Sequence, residues 1–154
     1  MNAYTSQYQH NQILTASQEQ ILLMLYDGAI RFCRQAMEAN DKGDVPYKLS
    51  RIAKVFAIVT EFSNSLNHDI GGKIAEDLDG LYHFMLKELG HARTDSTGKH
   101  LKDVERLLVD LRQTWVEAIQ INQKEQTAAA LANQGYGSPG TQRAMPTKSL
   151  STSG

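Results

Sequence analysis

The sequence is poor in the residues that staple, break or anchor a chain. A single cysteine, Cys33, excludes an internal disulfide and points to a reducing compartment. Only three prolines occur, and Pro139 and Pro146 fall near the C-terminus, which leaves Pro46 alone in the body of the chain. No apolar run is longer than Ile21–Tyr26, far short of the roughly 20 residues that span a bilayer. No signal-like apolar stretch opens the chain, so the expected location is the cytoplasm. Charge of one sign is also lacking. Lys and Arg number 16 against 17 Asp and Glu, a formal net charge of −1. Such a balance carries no electrostatic footprint for nucleic acid or for an anionic membrane.

What is present is enough for one domain with a substantial core, since 41% of the 154 residues are apolar. Breakers fall at regular distances: Asp41-Lys42-Gly43-Asp44, then Asn67-His68-Asp69 with Gly71-Gly72, then Thr94 to Gly98. They cut out segments of roughly 20 to 27 residues, too long for strands. Ser17 with Gln20 three positions on has capping-box spacing, and Asp44 with Pro46 suits a helix start. Leu101, Val104, Leu108, Leu111, Trp115 and Ala118 follow alternating steps of three and four, the seam of a packed helix. Short connections between long helices of similar length favour antiparallel neighbours. The expected fold is therefore all-α: an antiparallel up-down-up-down four-helix bundle with helices near 18–41, 46–67, 73–93 and 99–128. The domain reading is an N-terminal arm at 1–16, the bundle at 17–132 and a polar, disordered C-terminal tail at 133–154.

The first helix carries more apolar surface than a seam requires. Ile21, Leu22, Leu23, Leu25, Tyr26, Ala29, Ile30, Phe32, Cys33, Ala36 and Met37 fill an arc of about 200°. Other apolar residues fall off the expected seams. Phe84 shares a helical face with Asp77, Lys87 and His91, Ile58 flanks Lys54 and Arg51, and Val109 and Val116 lie about 100° off the stripe of the last helix. A cluster of such residues would mark a docking surface for an amphipathic helix.

Catalytic readings find little support. Glu88-Leu89-Gly90-His91 has the Glu-x-x-His spacing of di-iron bundles, but no second pair exists and the two side chains fall opposite the apolar stripe, in water. Gly71-Gly72 is followed by no Gly-Lys-Ser/Thr and reads as a helix connection. His83 with Lys87 invites the alternative of a histidine phosphotransfer or other signalling adaptor, although Leu86 stands where that motif places its lysine. Cys33 lies in the apolar arc as an inert thiol. The expectation is a binding protein that is not an enzyme, with no cofactor and no metal.

Specific residues go further. Thr15-Ala16-Ser17 followed by Ile21-Leu22-Leu23-Met24-Leu25-Tyr26-Asp27-Gly28-Ala29-Ile30-Arg31-Phe32 resembles the first helix of the FliS family of flagellar export chaperones. Asn64-Ser65-Leu66-Asn67 resembles the end of that family's second helix. Gly72-Lys73-Ile74-Ala75 with Leu78, Leu81, Tyr82, Met85 and Leu89 resembles its third, and Val104-Glu105, Leu108, Leu111, Arg112, Trp115 and Ala118-Ile119 its fourth. The resemblance covers roughly residues 4 to 122. It implies a chaperone that binds the C-terminal helical segment of flagellin, keeps it from polymerising and delivers it to the type III export apparatus. Tyr8-Gln9-His10-Asn11 resembles the Tyr-x-x-Asn leader that folds over the groove in that family. The expected partner-binding residues are Tyr4, Tyr8, Leu23, Tyr26, Ile58, Phe62, Phe84, Val109 and Val116.

Overall fold

A computed structural model describes residues 17–136, and Tyr4 and Tyr8 lie outside them. The described chain is helical, in the order α1 (Gln18–Lys42), α2 (Val45–Asn64), α3 (His68–Ala92) and α4 (Lys99–Tyr136). The first three starts have a chemical cause. The Ser17 hydroxyl accepts from the Gln20 amide at 3.1 Å while the Gln20 side chain accepts from the Ser17 amide at 3.2 Å, so the capping box is formed. Asp44 accepts from the Tyr47 amide ahead of Pro46, and Asn67 accepts from the Ile70 amide. Helix α1 ends on Gly43 at φ 71°, a left-handed conformation that side chains resist, and its amide reaches back to Asn40.

Two boundaries differ from expectation. The turn His68–Gly71 precedes the expected start of the third helix and joins it across Gly72, whose φ 50° and ψ −120° interrupt the helix. Helix α4 continues to Tyr136, because Ala128, Ala129, Ala130 and Ala132 extend it with the strongest helix formers.

The compact unit ending at Thr114 holds α1, α2, α3 and the first part of α4, and a second unit begins at Trp115. Cross-helix contacts set the topology. Gln35 meets Arg51 and Asn40 meets Lys48, so α2 runs antiparallel to α1. Ser63 bonds Asp79 at 2.5 Å, turning α3 antiparallel to α2. Arg34 pairs with Glu105 and Asp27 with Arg112, which sets α4 antiparallel to α1. The arrangement is the up-down-up-down four-helix bundle.

Its core is a stripe from every helix: Tyr26, Ala29, Cys33 and Ala36, then Ile52, Val55 and Val59, then Tyr82, Met85 and Leu89, then Leu101, Val104 and Leu108. Each fully buried branched or aromatic side chain contributes about 1.5–3 kcal/mol. The fourth-helix seam is fully buried only at its start, since Leu111 is half-buried. At the centre Tyr26 stacks on Phe62 with ring centroids 4.4 Å apart, and Phe62 leans on Tyr82 at 5.5 Å. The hydroxyls of Tyr26 and Tyr82 meet at 2.8 Å across the diagonal of the bundle.

A candidate docking cleft between α2 and α3

Helices α2 and α3 leave a cleft of about 230 Å³ lined by Ile52, Ala53, Phe56, Ala57, Leu89, Gly90 and Arg93. Its origin is a deficit of side chain. Ala53 and Ala57 are short, and a Cβ placed on Gly90 would meet nothing within 4 Å. The floor is core, with Ile52 at 2% and Leu89 at 0% exposure, while Phe56 forms a wall at 44%. Arg93, the C-cap of α3, supplies a cation at one end. A helix or extended segment with apolar side chains at turn spacing fits such a trough.

A second apolar feature lies on the other flank of α3. Ile74, Leu81 and Phe84 share one face and are 70%, 36% and 46% exposed, and Ile70, in the turn before the Gly72 kink, is 85% exposed. That flank continues into Glu88 and His91, which meet His100 at the start of α4. Glu88 is therefore not in water as the helical wheel indicated. Its side chain is only 12% exposed, and His100 Nδ1 lies 3.0 Å from Glu88 Oε1. The first turn of α4 covers the flank that the α3 stripe leaves open. Around this contact the ends of the helices are tied together. Lys48 Nζ donates to Asn40 Oδ1 at 2.7 Å and to the Asp95 carbonyl at 2.9 Å, and Asn40 donates to the Ser96 carbonyl. The amide and hydroxyl of Thr97 both donate to Asp95, which holds its carboxyl below the usual value, with His100 and Lys48 adding to the effect.

The expected partner-binding residues scatter over this framework. Tyr26 and Phe62 are 0% and 5% exposed and build the core. Leu23 and Ile58 are half-buried, and Ile58 lies over Gly28 at the α1–α2 seam. Phe84 belongs to the exposed α3 stripe. Val109, 38% exposed, lies beyond the flank of α4 that carries Glu105 and Arg112, and Val116 is half-buried in the second unit. Phe84, Ile58 and Val109 thus occupy different faces. The cleft residues Phe56 and Gly90 were missed. The available signal was that Phe56 falls off the Ile52–Val55–Val59–Phe62 stripe.

The polar chemistry stays structural. Burial, with Glu105 nearby, pushes the Cys33 thiol up to about 12, and its Sγ donates to the Leu101 carbonyl. The ring of His83 is exposed, with Nδ1 2.8 Å from the Asp79 carbonyl. No helix among the described residues is long and apolar enough to cross a membrane.

Comparison with known proteins places this architecture. The sequence model of the family described as flagellar protein FliS matches residues 1–122. The flagellar secretion chaperone FliS of Bacillus subtilis (strain 168) is 32% identical over 124 residues, covering 80% of this chain and 91% of that protein. The flagellar secretion chaperone FliS of Salmonella typhimurium is 28% identical over 116 residues, covering 75% and 86%. A bacterial flagellar chaperone solved by crystallography shares the fold with a TM-score of 0.63 at 20% identity, covering 76% of this chain and 95% of that one. A family match spanning most of the chain, on a bundle of the same architecture, makes this protein a member of the FliS family of flagellar proteins.

Proposed function

We propose that this chain is a cytoplasmic flagellar secretion chaperone that binds the C-terminal helical segment of flagellin, holds it unpolymerised and presents it to the type III export apparatus. The observation that carries this reading is the α2–α3 cleft, an apolar trough with a buried floor and an exposed phenylalanine wall. A segment that orders only on binding must recover its lost conformational entropy through contact area. Covering the exposed part of Phe56 contributes about 1 kcal/mol. Several such contacts along the cleft and the α3 stripe make a wrapped complex favourable. The action is non-catalytic, since it consists of covering apolar surface.

The N-terminal arm is the proposed lid. Tyr4 and Tyr8 would cover apolar surface with their rings while their hydroxyls stay wet, and flagellin would displace them. Co-purification with full-length flagellin and with flagellin lacking its C-terminal segment tests the main reading. Retention of the full-length protein alone is the expected result, and equal retention of both would refute it.

A further inference from the structure

Helices α1 and α2 share an outer face that the cleft does not use. Arg31 and Arg51 meet there with Phe32 and Tyr47, and Lys54 follows Arg51 by about one turn of α2. The Arg31 and Arg51 guanidinium carbons lie 5.1 Å and 5.2 Å from the Phe32 ring centroid, and Arg51 is also 5.0 Å from the Tyr47 ring. Arg51 Nε donates to Ser50 Oγ at 3.2 Å, and one terminal nitrogen reaches Gln35 Oε1 at 3.5 Å. We propose that this face is a second docking surface, for an acidic protein segment presenting carboxylates about one helical turn apart.

The first support is charge left unanswered. Among the described residues none of Arg31, Arg51 and Lys54 has an ion pair, in a chain whose formal net charge is −1. The carboxylates closest in sequence are committed elsewhere: Asp27 to Arg112, Glu38 to Lys42, and Asp44 to the amide that starts α2. Glu61 lies about two turns farther along α2. The second support is preorganisation. A guanidinium stacked on rings keeps its N–H edge for a carboxylate and loses less side-chain freedom when it binds. Arg51 has its second terminal nitrogen uncommitted among the described residues, and Arg51 and Lys54 are one turn apart on the same helix.

Three cations match a short peptide. Nucleic-acid affinity grows with the number of phosphates neutralised, and three cations are fewer than the roughly six to ten contacts of a strongly salt-dependent DNA binder. The face is also separate from the cleft, because Arg51 and Phe56 lie about 140° apart around α2. An acidic partner and a segment in the cleft can therefore bind together.

The test uses the full ¹⁵N-labelled chain and a probe peptide of about twelve residues rich in Asp and Glu, with an Asn/Gln counterpart as control. Amide shifts confined to the turns around Arg31, Gln35, Tyr47, Arg51 and Lys54 are expected, with affinity falling as salt rises. The combined variant R31E/R51E/K54E should bind the probe at least about tenfold more weakly, and R51K, which keeps the charge but loses the planar fork, about threefold. Its circular dichroism and its co-purification with flagellin should match the unaltered protein. Shifts elsewhere or none, or unchanged probe affinity in the triple variant, would overturn the proposal. So would tighter binding of a single-stranded oligonucleotide to the same residues. Loss of flagellin by a folded triple variant would also overturn it, by making this face part of the flagellin site.

Discussion

Replacing Phe62 by alanine tests whether the aromatic centre holds the bundle or meets the partner. The ring is 5% exposed, stacked on Tyr26 at 4.4 Å and tilted against Tyr82 at 5.5 Å. Truncation removes the ring's burial and both ring contacts and leaves a cavity between α1, α2 and α3. Such a change costs about 3–5 kcal/mol, a large share of a total stability of about 5–15 kcal/mol. At about 4 °C per kcal/mol for a domain of this size, the melting temperature should fall by about 12–20 °C. Urea unfolding followed by circular dichroism should show a lower midpoint with an unchanged slope. Phe62→Leu, which refills most of the volume, should recover more than half of the loss. Flagellin binding by Phe62→Ala at low temperature, where the bundle is still folded, should stay near that of the unaltered protein. A stability loss below about 0.5 kcal/mol, or a binding defect without a stability defect, would refute the assignment of this ring to the core.

Phe56→Asp and Phe84→Asp should each weaken flagellin binding in a pull-down or calorimetric titration while moving the urea midpoint by no more than about 0.5 kcal/mol, because both rings are exposed. His100→Ala should cost about 1–3 kcal/mol in the same unfolding assay, since it takes from buried Glu88 the imidazole 3.0 Å away. The carboxyl of Asp95 is lowered in the folded state, so its contribution is present above the unfolded value of about 3.9 and is lost as pH falls through the folded value. The melting-temperature gap between the unaltered protein and Asp95→Asn should accordingly persist down to about pH 5 and close at more acid pH. Deleting residues 1–12 should tighten flagellin binding or speed association, and weaker binding would instead mark the arm as a direct contact.

Much of the fold is legible residue by residue. Ser17 with Gln20, Asp44 with Pro46, and the paired glycines at 71 and 72 act locally, so their effect on the backbone can be read without a partner helix. The Leu101–Val104–Leu108 seam is legible because a periodic stripe needs only a helix and a core. The site is less so. An apolar arc of about 200° on α1 does not say which part meets which neighbour, and Tyr26 could be placed in the core only once Phe62 and Tyr82 were seen against it. Glu88 was misread because a wheel drawn from its own helix knows nothing of the first turn of α4. The cleft is the hardest case. It arises where Ala53, Ala57 and Gly90 lack side chain, and missing volume becomes a trough only when the spacing of two helices is set.

The hydroxyl contact between Tyr26 and Tyr82 has a consequence for how a partner can be accommodated. Apolar helix surfaces tolerate sliding, because one methyl group replaces another. A hydrogen bond across the diagonal does not, since moving either helix by one turn, about 5.4 Å, would separate the two oxygens. The α1–α3 register is thereby fixed, and α2, wedged against both through Phe62, is fixed with it. The cleft between α2 and α3 is then a rigid mould, its shape set before any segment arrives. Conformational adjustment falls to the guest, so chains of differing sequence should converge on one bound shape, and the rate at which each acquires that shape should govern how quickly it is captured.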